Sequence, residues 1–92
     1  MTDPHFATFQ AEHLAQGFDE VLERVWQPGT VIDTHTHPFA VKALVVAGEL
    51  ELTVGDDTRR LRAGDPFELA REVPHAERYG PEGATFWVAR KH

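Results

Sequence analysis

The sequence predicts an all-β protein, an antiparallel sandwich or barrel with a short N-terminal helix. Two observations predict this fold: short stretches rich in β-branched and aromatic residues recur along the chain, and Gly/Pro turn signals separate them. The chain has 92 residues, no internal repeat and no long linker, which is enough for one core. We expect an N-terminal arm and helix over residues 1–19 and a β-barrel domain over residues 20–92.

The predicted helix covers residues 8–16. Thr8 suits the N-cap position, helix-forming residues follow it, and Gly17 suits the left-handed stop. A helix of about two turns is marginal in water. We therefore expect Phe9 and Leu14 to dock onto the strands that follow.

About eight short strands are predicted after the helix. They cover residues 21–26, 31–36, 39–47, 49–54, 58–62, 67–70, 74–79 and 85–90. The third is nearly continuously apolar, so Leu44 and Val46 lie on the face opposite Val41 and Val45. That second apolar face needs cover from the helix or from another subunit, and we expect a homodimer.

The charge balance limits the classes of partner. Nine Lys and Arg against fifteen Asp and Glu give a net charge of −6, which disfavours contact with the phosphates of nucleic acid. No signal peptide is recognisable, and no apolar stretch approaches the roughly 18 residues of a membrane span. With no cysteine in the chain, the expected location is the cytoplasm, without membrane or direct nucleic-acid partners.

Three of the six histidines form a candidate metal site. His35 and His37 alternate on an extended segment, so both imidazoles point to one side, about 6–7 Å apart. His75 lies on another predicted strand, which a barrel can bring to the same point. Three imidazoles suit a divalent ion such as Zn, Fe, Ni, Mn or Cu and leave positions open for water or substrate. The alternative is a pair of surface histidines at a sheet edge.

The spacing around these histidines resembles the two motifs of the cupin family. Residues 29–37 have the glycine, five residues and His-x-His of the first motif, and Gly48 falls on its later glycine. Gly64 and His75 fall in register with the second motif. The resemblance spans residues 29–79, more than half of the chain, and implies a small single-domain cupin with the family's double-stranded β-helix, or jelly-roll barrel.

Several family positions hold other residues. Val41 stands at the acidic metal ligand, Ala70 at a proline, Glu72 at the turn glycine and Tyr79 at an asparagine. The implied jelly roll is compatible with these changes. The implied four-ligand metal site is not compatible with valine at the acidic position. A three-histidine centre remains.

Glu77 and Tyr79 are the candidate catalytic residues. Alternation places both on the same face of their strand as His75. If that face is inward, Glu77 is able to ligate the metal, orient a histidine or act as a general base. Alternatively, the strand twists and Glu77 pairs with Arg78 or Arg71 at the surface.

Inward aromatic side chains are expected to form the core and to line a cavity for a small, partly apolar ligand. They are Phe39, Phe67, Tyr79, Phe86 and Trp87.

The sequence leaves three functional hypotheses open. The first is a metal-dependent enzyme acting on a small anionic or chelating molecule, such as a keto acid, a diketone or an enolate. The second is a non-catalytic small-molecule sensor that resembles the effector-binding domain of bacterial transcription regulators. The third is a barrel whose histidines hold no metal.

Overall fold

The computed structural model describes residues 4–92 and contains one helix and six strands. They are α1 (Pro4–Ala15), β1 (Glu20–Trp26), β2 (Val31–His35), β3 (Ala40–Val54), β4 (Asp57–Arg62), β5 (Pro66–Leu69) and β6 (His75–Lys91). The prediction of a mostly β fold with one short N-terminal helix is confirmed. No helix within these residues is long and apolar enough to cross a membrane.

All strand pairs are antiparallel, and two long strands organise the sheet. β6 pairs with β1, β2 and β3, while β3 pairs in addition with β4 and β5. The sheet thus curls around one buried cluster as a jelly-roll barrel, with Val45, Leu50 and Tyr79 among its most buried side chains.

Each long strand joins two segments that the sequence analysis predicted as separate strands, so the expected number of about eight was too high. The predicted break at Gly48 is a bend within β3, where the register with β6 shifts and the glycine has a φ of 70°. In β6, residues 80–83 oppose only Glu49, because Gly48 pairs with Ala84 and Leu50 with Tyr79. The glycines bend these strands and let the ladder continue on either side.

Gly83 lies at a close approach between strands, so we expect Gly83→Ala to destabilise the fold strongly. Its φ is 70°, and a Cβ there would overlap the carbonyl oxygen of Trp26. Gly55 is the matched control, since it has a φ of 61° but no atom within 4 Å of an added Cβ. Urea unfolding should show a loss of about 1–2 kcal/mol for Gly55→Ala and clearly more for Gly83→Ala. Equal losses would contradict this account.

The helix differs from the prediction in its first residue and in the side chains that dock it onto the sheet. It begins at Pro4, which suits a first turn because proline lacks the N–H that is unpaired there. Thr8 therefore lies inside the helix, and its prediction as N-cap was wrong. Phe9 does dock, with its ring 5.8 Å from that of Trp87, but Leu14 remains 46% exposed. Phe6 takes the expected docking role of Leu14, 5.5 Å from Trp87.

The two faces of β3 alternate as predicted. Val41, Ala43 and Val45 are buried in the core, while Leu44 and Val46 are only partly buried on the opposite face. Phe9 of α1 lines an open groove together with Leu44 and Val46, so the helix borders this second face and leaves it partly exposed.

Candidate metal centre

His35, His37 and His75 come together as the sequence predicted. His35 pairs directly with His75 across the β2–β6 ladder, and His37 follows on the segment that leaves β2. The ring centroids are 4.3 Å apart for His35 and His75, 4.8 Å for His35 and His37, and 5.0 Å for His37 and His75. His75 is only 3% exposed. The three are thus an inward cluster rather than surface histidines at a sheet edge.

Backbone carbonyls set the tautomers of two of these rings. The Nδ1–H of His35 donates to the Asp33 carbonyl at 2.8 Å, and that of His75 donates to the Val73 carbonyl at 2.9 Å. Each ring therefore keeps the lone pair on Nε2. An Nδ1–H held by a carbonyl is the usual arrangement in a histidine that ligates a metal through Nε2.

The cluster fits a divalent metal ion. One nitrogen from each ring lies within 4.8 Å of the other two. Nitrogen ligands at about 2.0–2.1 Å from a shared tetrahedral ion are about 3.4 Å apart, so shifts of about an ångström would bring them to one ion. Three neutral imidazoles suit Zn, Cu, Fe and Ni in particular. These three histidines could therefore hold a metal.

Glu77 lies directly beside the cluster. Its side chain is 10% exposed, and its Oε2 lies 3.6 Å from the Nε2 of His35. Its Oε1 accepts a hydrogen bond of 2.7 Å from the Tyr79 hydroxyl. The structure thus places Glu77 and Tyr79 on the inward face with His75, and within residues 4–92 Glu77 forms no ion pair with Arg71 or Arg78.

Tyr79 acts on Glu77 as a hydrogen-bond donor. Burial raises the pKa of its phenol, and the negative charge of Glu77 raises it further. The hydroxyl therefore keeps its proton across the working pH range. Tyr79 therefore holds the carboxylate of Glu77 in place as a neutral donor.

The pKa of His37 is lowered, chiefly by burial and then by the positive charges of His75 and His35 when they are protonated. The unfolded chain therefore binds more protons at this position below about pH 6.5, the ordinary value. Stability should accordingly fall as the pH drops below about 6.5 through the folded-state pKa of His37.

We expect thermal unfolding of the protein in the presence of a chelator to show this loss between about pH 7 and pH 5. In His37→Asn the pH dependence should be weaker, because the group responsible is gone. An unchanged slope in that variant would show that another group causes the loss.

The histidines open onto a cavity of about 170 Å³. Its remaining lining is largely apolar, with one carboxylate and two arginines. The lining residues are Arg24, Trp26, Ile32, His35, His37, Phe39, Val41, Phe67, Leu69, His75, Glu77, Phe86, Val88 and Arg90. Three of the five predicted aromatic residues line it. Tyr79 lies in the core cluster and Trp87 lies against the helix, so neither lines the cavity. Val41, at the family's acidic position, contributes an apolar wall.

Glu72 occupies the strained turn that leads to His75. It has a φ of 60°, the left-handed conformation that favours glycine, and the family's turn glycine is the residue it replaces. Its N–H donates to the His37 carbonyl at 2.9 Å. The turn therefore ties the segment of His37 to the approach of His75.

Sequence reasoning missed the cavity residues Arg24, Trp26 and Arg90. The signal was present in β6, where Arg90 has the same parity as the inward Phe86 and Val88. A charged side chain at an inward position of an apolar strand is unusual unless it has a partner or a ligand.

Comparison with known families decides the classification. The model of the family described as "Cupin domain" matches residues 22–87. The chain belongs to the cupin family. This cupin is 41% identical over 64 residues to "H2HPP isomerase" of Bacillus subtilis, an alignment that covers 68% of this chain and 27% of that protein. The chain thus spans about a quarter of the length of this curated relative.

Solved structures agree on the fold. This cupin matches the cupin domain of an XRE family transcriptional regulator from Enterobacter cloacae with a TM-score of 0.67 and 21% identity, covering 78% of this chain and 79% of that one. It matches oxalate decarboxylase from B. subtilis with a TM-score of 0.70 and 22% identity, covering 77% of this chain and 20% of that one. At these identities the likeness concerns the jelly-roll fold.

Proposed function

We propose that this cupin binds a divalent metal ion through His35, His37 and His75 and catalyses proton transfer in a small anionic, chelating organic molecule. The observation that carries the proposal is the position of Glu77. Its carboxylate is held by the Tyr79 hydroxyl at 2.7 Å and faces His35 at 3.6 Å, on the wall of the histidine cavity. A positioned carboxylate beside a metal-binding cluster is suited to general base catalysis.

Each group in the cavity has a separate role in the proposed reaction. A divalent ion on the histidines would supply Lewis acidity to an oxygen of the bound molecule. Glu77 removes a proton from the carbon next to the carbonyl group and returns it to the same or a neighbouring carbon. Tyr79 fixes the Oε1 of Glu77 and leaves Oε2 for the transfer. Phe39 and Val41 give the cavity apolar walls beside the histidines.

Likeness to a curated isomerase supports this choice of reaction class. The relative is named "H2HPP isomerase" and is 41% identical over the matched 64 residues. An isomerisation by proton removal and return needs no co-reactant, and this cavity offers a base that is able to do both. We extend to this chain only the reaction class.

A non-catalytic sensor is the second candidate function. This cupin covers 79% of a transcription regulator's cupin domain, so its size suits a ligand-binding module. In that case the cavity binds the same class of small anion and Glu77 contributes to affinity alone.

The homodimer also stays a prediction, with Leu44 and Val46 near its expected interface.

Proton exchange in deuterated water tests the proposal. The protein is loaded with Zn, Fe, Ni, Mn or Cu and mixed with a panel of 2-oxo acids and 1,3-diketones, and proton NMR follows the C–H next to each carbonyl. We expect at least one compound to exchange faster than with the metal ion alone, and a chelator to abolish the difference. Binding of a panel member without any exchange would favour the sensor.

A further inference from the structure

His37 differs from the other two histidines of the cluster in how its ring is held. The Nδ1–H groups of His35 and His75 donate to backbone carbonyls, at 2.8 Å and 2.9 Å. Within residues 4–92, no protein group forms a hydrogen bond with the His37 ring. A metal-ligating histidine usually donates its other ring N–H to a partner that orients it. In this part of the chain, the orientation of the His37 ring therefore depends on contacts of another kind.

The backbone of His37 is restrained on both sides of the residue. Pro38 follows it, and a residue before proline is restricted to extended conformations. The carbonyl of His37 accepts a hydrogen bond of 2.9 Å from the Glu72 N–H. These restraints fix the point from which the side chain starts. They leave the imidazole able to turn about its own bonds, since the second side-chain torsion of histidine has broad minima.

Phe39 provides a stacking contact for this imidazole. The two rings are nearly parallel, with an interplanar angle of 14° and centroids 4.8 Å apart. The rings of His35 and His75 meet the same imidazole at 79° and 48°, so neither stacks on it. Stacked rings are held by an attraction that is lost when one of them turns away. The Phe39 contact therefore restricts the rotation that the backbone leaves free.

Other side chains hold Phe39 itself. The guanidinium carbon of Arg90 lies 4.9 Å from the centre of the Phe39 ring, and the ring of His92 lies 5.2 Å from it. Arg90 is anchored in turn, because its Nη1 donates to Glu20 Oε1 at 3.2 Å. The Phe39 ring is thus packed on more than one side and offers His37 a supported surface. This packing also gives a structural role to Arg90 at its inward position.

We propose that Phe39 is the positioning residue for His37, and that its ring orients this imidazole by stacking as backbone carbonyls orient His35 and His75 by hydrogen bonds. The inference rests on the proposed function for the metal ion that the histidines would share. Phe39 offers no ligand atom, so its effect on the metal passes through His37 alone. Removing its ring is accordingly expected to weaken metal binding without removing a ligand.

¹³C relaxation of the histidine rings tests the positioning without a metal ion. The protein is measured with a chelator at about pH 8, where imidazoles of ordinary pKa are neutral. In the wild type, we expect the Cδ2–H of His37 to be as rigid as those of His35 and His75. In Phe39→Leu the His37 ring alone should become mobile, because leucine is apolar but has no ring face. A wild-type His37 ring more mobile than the other two overturns the proposal, even if no variant folds.

Zinc affinity, measured by competition with a chromogenic chelator, tests the effect on metal binding. Phe39→Leu should bind zinc about tenfold more weakly or worse, whereas Phe39→Tyr keeps the ring face and should stay within about threefold of the wild type.

Phe67→Leu is the matched control for the zinc measurement. Phe67 lines the same cavity and is 5% exposed, but among residues 4–92 its ring contact is with Phe86, 5.7 Å away. The substitution should lower thermal stability, because it removes volume from the core. It should keep zinc affinity within about threefold of the wild type and leave the His37 ring rigid.

The outcomes separate this inference from the proposed metal function. Equal zinc affinity in Phe39→Leu and Phe67→Leu overturns the inference, and so does a His37 ring that stays rigid in Phe39→Leu. If the wild type binds zinc in either case, the metal function stands. A wild type that retains no zinc contradicts the metal function instead, and the relaxation measurements then decide alone whether Phe39 positions His37.

Discussion

Replacing Glu77 with glutamine is expected to lower turnover by ~10²–10⁴-fold and to leave metal content unchanged. Glutamine keeps the shape of the side chain and accepts the hydrogen bond that Tyr79 donates at 2.7 Å. It cannot take a proton, so the loss reports on the base itself. The measurement is the exchange or isomerisation rate with the substrate found in the panel, together with metal analysis of the same preparation.

Glu68→Gln is the control, because Glu68 is an exposed carboxylate that pairs with Lys42 on the outer surface. It should leave turnover within about twofold of the wild type. Two results would contradict the assignment. Loss of the metal in Glu77→Gln would make Glu77 a fourth ligand in the role that Val41 cannot fill. Unchanged turnover in Glu77→Gln would show that Glu77 is not the base.

Removal of His75 is expected to abolish stoichiometric metal binding. His75 is the most buried of the three histidines, with 3% of its surface exposed, and the hydrogen bond from its Nδ1–H to the Val73 carbonyl fixes the ring. His75→Ala leaves two imidazoles, which are too few for a stable site at these separations. Elemental analysis of untagged protein, loaded with zinc and desalted, gives the stoichiometry directly.

His13→Ala is the matched control for this measurement. His13 lies on α1, away from the cluster, and its Nδ1 is paired with the Phe9 carbonyl at 2.8 Å. It should retain as much zinc as the wild type. Full zinc retention in His75→Ala would contradict the proposed metal site. Equal loss of zinc in both variants would indicate unspecific binding to surface histidines.

Much of the fold could be predicted from local patterns in the sequence. Alternation along 39–47 predicted correctly that Val41 and Val45 face the core and that Leu44 and Val46 do not. The same patterns could not predict that strands continue through Gly48 and through residues 80–83. A glycine or proline signal indicates a change of direction, whereas hydrogen bonds to distant strands decide whether the ladder resumes.

The candidate site was also predicted only in part from the sequence. The histidines were found because their spacing is a property of the sequence and because alternation fixes the side to which each points. Arg90 was not found, although it has the same parity as the inward Phe86 and Val88, because parity alone does not show that a charged residue near the end of a strand lines a cavity. Its Nε is buried without a hydrogen-bond partner among residues 4–92, which only the packed structure reveals.

The length of β6 has a consequence for how this protein folds. One strand carries His75 and Glu77 near its start and Arg90 near its end, and it pairs with β1, β2 and β3. The earlier strands do not complete the cavity without β6, because β1 and β2 pair with β6 and only β5 is held to the cavity through β3. Pairings between segments so distant in sequence close slowly, since the chain loses loop entropy before it gains contacts. We therefore expect the cavity to close late in folding, once β6 has paired with β1, β2 and β3.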